Sequence, residues 1–277
     1  MNGMKIIPVI YLFDDELFCE SILKSLDAKF EKIVIMIGAN KYTKRHWATP
    51  DCKPIDRTCE IVEHYIHNRD KFILQYNEYK GTMPFGQMKG IGYDIVKSLG
   101  GEWYFEIDAG EIYFQKDLDS IIKTINEEGD RYKLFQWKLF TFYPDFSSGY
   151  EWGAGELRCF KILPTTKFWE DRRAAFLYDG SELLWPLSGN KPMNIKWGKF
   201  FNFYCYHLDD LKPPINQFHR FLRRKLYKLD KEYPTYDIIL QVLYEMNETS
   251  REVQRYMGDY PEYLDNINLM NYKRKGE

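Results

Sequence analysis

Over the first 120 residues, strand-like apolar runs alternate with amphipathic segments, and few folds accept that order. KIIPVIYLF (5–13) reads as a strand. DDELFCESILKSL (14–26) reads as a helix, with acids in its first turn and Leu17, Ser21, Ile22 and Leu26 near helical spacing. EKIVIMIGA (31–39) is a buried strand, and DRTCEIVEHYIHN (56–68) sets Ile61, Val62, Tyr65 and Ile66 on one helical face. KFILQY is a third strand, GQMKGIGYDIVKSLG a helix stopped by Gly100 and Gly101, and EWYFEID (102–108) a fourth strand. Strands joined by short helical crossovers predict an α/β fold with a mostly parallel, doubly wound sheet.

At 277 residues the chain accommodates such a sheet domain, placed at 1–210, followed by a helical extension, 211–277. A formal net charge of −2 gives no electrostatic reason to expect nucleic acid as a partner. The early apolar run holds Pro8 and is shorter than the ~20 residues of a membrane span, so a soluble, cytoplasmic chain is expected. Its five cysteines are scattered, without zinc-site spacing or disulfide density.

Ligands of such sheets bind beyond the carboxyl ends of the strands, where Asp108 stands. It opens the acidic turn Asp108-Ala109-Gly110-Glu111. One reading makes Asp108 a turn or cap aspartate ahead of the helix in DLDSIIKTINEE; the other makes it a ligand of Mg²⁺ or Mn²⁺.

The order of PVIYLFDDELFCESILKSL, IVIMIGA, PIDRTCEIVEHY and MKGIGYDIVKSLGGEWYFEIDAGE resembles the GT-A fold glycosyltransferases that use nucleotide-diphosphosugars, close to the family-two type. The likeness covers roughly the first 115 residues. It implies a Rossmann-like GT-A sheet, a nucleotide-diphosphate sugar as donor, Mn²⁺ or Mg²⁺, and transfer to a hydroxyl of a glycan, lipid-linked or protein acceptor. It also implies donor contacts at Phe13, Asp15, Asp56, Lys89 and Asp108, and a metal site of Asp108, Glu111 and His207, the last closing the aromatic run FFNFYCYH. The chain departs from the family at two positions. IGANK lacks the acid that usually holds the base, and Gly110 stands where the family's D-x-D motif has its second aspartate.

An inverting transferase needs a carboxylate within hydrogen-bond reach of the acceptor hydroxyl. In KFWEDRRAAFLYDG, Asp171 resembles the family's base, with Asp179 as runner-up, and Arg172 and Arg173 are suited to the diphosphate. Trp137, Tyr150 and Trp152 read either as a sugar platform or as core, and the glycine-bearing stretch 147–155 reads as a lid. Around 213–233 a basic amphipathic helix carries Arg220, Arg223, Arg224, Lys225 and Lys228, suited to packing on the sheet or to peripheral membrane contact. A nucleotidyltransferase would carry a glycine-rich loop after its first strand, and YLFDDELF has no glycine. The alternative to an enzyme is a non-catalytic descendant that binds sugar or protein.

Overall fold

The first strand, β1 (Ile6–Leu12), is buried along its whole length, and its alternation divides it between two cores. Ile6, Ile10 and Leu12 face one core; Ile7, Val9 and Tyr11 face the other. In this computed structural model, residues 4–39, 48–77, 84–142, 148–164, 166–168, 175–176, 198–208, 222, 225, 235–248 and 254–255 are described. β1 lies between β2 (Ile33–Ile37) and β4 (Trp103–Asp108), parallel to both, and β3 (Phe72–Tyr76) continues the parallel half beyond β2.

The helices cover both faces of this half. α1 (Cys19–Asp27) and α2 (Thr58–Ile66) pack on one side, through Ile22, Leu23 and Leu26 of α1 and Val62 of α2. α3 (Phe85–Ser98) packs on the other through Met88, Tyr93 and Val96. α1 has nine residues, too few to be stable alone. Burying its three large aliphatic side chains, at roughly 1.5–3 kcal/mol each, outweighs that deficit. Gly92 lets α3 approach the sheet: a Cβ there would lie 2.7 Å from the Tyr11 hydroxyl and 2.9 Å from Val9 Cγ1.

Beyond β4 the sheet becomes mixed. β7 (Ser148–Lys161) runs antiparallel to both β4 and β6 (Leu134–Phe142). β10 (Gly198–His207) runs parallel to β6, and the two-residue β5 (Glu111–Ile112) is antiparallel to β10. Among the described residues the main sheet thus has nine strands, along the path β3-β2-β1-β4-β7-β6-β10-β5, with β11 (Gln254–Arg255) paired to β7. A short pair, β8 (Lys167–Phe168) with β9 (Ala175–Phe176), stands apart. α4 (Gln115–Glu128) adds Leu118, Ile121 and Ile125 to the core of α1, and α5 (Tyr236–Glu248) falls in the expected C-terminal helical stretch.

The α/β fold and Rossmann-like sheet agree with the sequence expectation, and the order β3-β2-β1-β4 is that of a doubly wound half. Two expectations change, and one open choice is decided. The first helix starts at Cys19 rather than in the DDELF stretch, because Asp15 turns its carboxylate back onto the Phe13 amide at 2.6 Å. Residues 148–155 belong to a strand rather than a lid: Gly149, Tyr150, Glu151 and Trp152 stand opposite Phe142, Thr141, Phe140 and Leu139. Trp137 is core, fully buried edge-on to Phe105 and Tyr113. Most of the basic stretch 213–233, including Arg220, Arg223, Arg224 and Lys228, lies outside the described residues, as do the side chains of Tyr150 and Trp152. No helix among the described residues is long and apolar enough to cross a membrane.

Candidate functional site

The winding of the sheet reverses between β1 and β4, and their carboxyl ends are adjacent, with Tyr11 in register with Asp108. This is the switch point at which open α/β sheets form their ligand crevice. Two loops leave the sheet there: 13–18 after β1 and the Asp108–Glu111 turn after β4.

The first loop is held by acids. The Asp15 amide donates to Thr58 Oγ1 at 2.7 Å, the Glu16 amide to Asp56 Oδ2 at 3.1 Å, and the Thr58 amide to Asp56 Oδ1 at 3.0 Å. Asp15 is buried, and Asp14 takes the left-handed conformation, φ +57°. Asp15 and Asp56 therefore tie the end of β1 to the start of α2. The amides of Phe13, Asp15 and Glu16, the groups a phosphate-cradling loop would offer, donate to side chains of this chain instead.

The second loop turns on Ala109 and Gly110 and returns as β5. There Glu111 stands opposite His207, and the Leu208 amide donates to the Gly110 carbonyl at 2.7 Å. Three of the expected residues, Asp108, Glu111 and His207, are thus brought to one corner of the sheet by strand register, although β10 lies far away in sequence. Asp108 keeps about a third of its side chain exposed, at 32%, whereas the Glu111 side chain is 0% exposed.

What organises this corner is Arg158 of β7, which the sequence reading passed over. Because β7 is antiparallel to β4, with Cys159 opposite Phe105, Arg158 comes alongside Glu106. Its Nη1 lies 3.6 Å from Glu106 Oε1 and 3.2 Å from Asp108 Oδ2, and its Nη2 donates to Glu111 Oε1. Glu111 Oε2 accepts from the Asp108 amide at 3.3 Å and from the Tyr113 hydroxyl at 3.5 Å. Glu106 in turn holds Lys89 of α3, itself 2% exposed. Lys89, expected beside the diphosphate, is therefore buried in an ion pair behind β4. Burial pushes the Glu106 carboxyl above its ordinary range; Lys89 pulls it down, Asp108 pushes it up and Arg158 pulls it down. Tyr11 and Tyr104 share a hydrogen bond, O···O 2.5 Å, beside this network, and burial pushes both phenols well up.

A signal for the missed residues is visible afterwards. Glu106 and Arg158 are charges set within the apolar strands WYFEID and ELRCF, and buried charges require partners.

Asp108, Glu111 and His207 are the residues expected to hold a divalent ion. Among the described residues no group of three or more His, Cys, Asp or Glu side chains is placed to hold one. Of the two turn carboxylates, Glu111 is enclosed by donors and Asp108 is held by the same guanidinium. Asp171, Arg172, Arg173 and Asp179 lie outside the described residues.

No protein-family model and no curated protein matches the chain. Among solved structures it is similar to the crystal structure of S. aureus TarS 1–349, at 19% identity and a TM-score of 0.36, over 50% of this chain and 37% of that one. It is also similar to a mannose-1-phosphate geranyltransferase from Thermus thermophilus, at 11% identity and a TM-score of 0.32, over 57% and 50% of the two chains. A cytidylyltransferase from Leptospira borgpetersenii serovar Hardjo-bovis matches at 11% identity and a TM-score of 0.36, over 92% and 100%. The match thus spans little more than a third of TarS 1–349 and half of the geranyltransferase. At these identities and TM-scores the likeness does not bear on the reaction.

Proposed function

We propose that this chain is a glycosyltransferase that moves a sugar from a nucleotide-diphosphate sugar to a hydroxyl of a glycan, glycolipid or protein. The observation that carries the reading is the position of Asp108 at the carboxyl end of β4, in register with Tyr11 near the end of β1, at the switch point where an open α/β sheet takes its ligand. The family resemblance assigns donor contacts to the two loops that leave the sheet there. The occupied amides of the first loop speak against a phosphate cradle of the nucleotidyltransferase kind.

The reaction is an inverting single displacement. The acceptor oxygen attacks the anomeric carbon as the bond to the diphosphate breaks, and Asp171 takes the acceptor's proton, with Asp179 as runner-up. The departing diphosphate carries the negative charge, which the guanidinium groups of Arg172 and Arg173 oppose. Phe13 and the loop braced by Asp15 and Asp56 flank the nucleoside. On this reading the chain after 210 is an extension whose basic residues in 213–233 serve peripheral membrane contact.

Thermal-shift titration with a panel of nucleoside diphosphates and nucleotide sugars tests the reading. We expect a saturable rise in Tm with at least one of them, lost in Asp108→Ala and kept in Asp171→Asn, which loses turnover instead. Absence of any shift across the panel, or the reverse pattern in the two variants, contradicts it.

A further inference from the structure

We infer that the guanidinium of Arg158 fills the cation position of the Asp108–Glu111 turn, so that this corner binds no divalent ion and a nucleoside diphosphate engages it without one. The first clause stands on the geometry alone; the second rests on the glycosyltransferase reading.

Glycine at position 110 leaves two carboxylates on the turn, and one planar guanidinium is matched to two carboxylates. Arg158 spends its two terminal nitrogens in that way, Nη1 toward Asp108 and Nη2 on Glu111. The arginine is fixed by the fold rather than reaching in from solvent. It sits within a sheet strand, 5% exposed, with Nη1 also 3.6 Å from the buried Glu106. Swinging it aside would strip the guanidinium from Glu106 and Glu111 together, both buried. A Mg²⁺ or Mn²⁺ ion close enough to bond the oxygens of both Asp108 and Glu111 would lie against this fixed positive charge. Glu111 has further donors, the Asp108 amide and the Tyr113 hydroxyl, so an ion would displace a formed set of hydrogen bonds. Buried Lys89 adds a second positive charge behind Glu106.

The test uses the full chain and begins without nucleotide. Mn²⁺ is titrated into the wild-type protein and the free ion is followed by its electron paramagnetic resonance signal. The expected result is no stoichiometric loss of signal. A stoichiometric site in the wild type that disappears in Asp108→Asn overturns the inference. Arg158→Met is expected to gain a Mn²⁺ site that Asp108→Asn removes. Because that variant leaves buried acids behind and can fail to fold, the wild-type titration decides by itself.

Nucleoside diphosphates are then titrated in chelator and in Mn²⁺. A shift of the same size in both supports the inference. A shift that requires Mn²⁺ and is lost in Asp108→Asn overturns it while leaving the glycosyltransferase reading intact. No shift in either condition overturns that reading and, with it, the second clause; the arginine-for-cation assignment is then decided by the Mn²⁺ titration alone.

Discussion

Arg158 Nη1 stands 3.2 Å from Asp108 Oδ2, so the partly exposed carboxylate at the end of β4 is held from within the sheet by a guanidinium that is 5% exposed. The same guanidinium reaches Glu106 and Glu111, which makes Arg158 the hub of the corner. Its removal is therefore a stability experiment as well as a functional one. Arg158→Met leaves buried Glu106 and Glu111 without their shared cation and is expected to cost about 3–5 kcal/mol in urea unfolding. Adding Glu111→Gln should recover part of that loss. An Arg158→Met variant as stable as wild type would show that the network does not support the fold.

Lys89 and Glu106 form a buried pair between α3 and β4. Lys89→Met and Glu106→Gln are each expected to destabilise by about 3 kcal/mol or more, since each removes one half of a buried ion pair. The double variant should be less destabilised than the sum of the two, by roughly 0.5–3 kcal/mol. Strict additivity in denaturant titrations would contradict the pairing.

Gly92 is a packing requirement. Gly92→Ala pushes a methyl against the Tyr11 hydroxyl and Val9 and should cost about 1–3 kcal/mol. Tyr11→Phe removes one of the two obstructing atoms, so Gly92→Ala should cost less in a Tyr11→Phe background than in the wild type. An equal cost in both backgrounds would place the strain elsewhere.

Asp27, the last residue of α1, is the clearest source of acid sensitivity away from the site. Partial burial pushes its carboxyl up, but Lys71, Tyr65 and Arg69 together hold it below the ordinary range. Lys71 Nζ and Arg69 Nη1 each lie 2.7 Å from it, and the Tyr65 hydroxyl donates to it at 2.9 Å. A depressed folded-state pKa means stability that is present above the unfolded-state value of about 3.9 and lost as pH falls through the lower folded-state value. Asp27→Asn should thus be less stable than wild type by roughly 1–2 kcal/mol at pH 7. The gap should close only below about pH 4. A gap that stays constant down to acid unfolding would exclude this charge as its cause.

The strand–helix–strand order of residues 5–108 was legible because buried strands and amphipathic helices print their periods directly on the chain: 6–12, 33–37, 72–76 and 103–108 are apolar runs, and each crossover carries a helical stripe. That order determined the doubly wound half of the sheet, and with it the place of Asp108 at a strand's carboxyl end. What followed β4 was not legible in the same way. Strand pairing between β4 and β7, or between β5 and β10, depends on register across some fifty to ninety residues of intervening chain, which no local period encodes. Only the tertiary structure decided that Trp137 is core, that Arg158 meets Asp108 and Glu111, and that Lys89 is spent on Glu106. For the charged residues the physical reason is the cost of burying charge: read in line, each is simply ionised, and its role is settled by which opposite charge the folded sheet sets within reach.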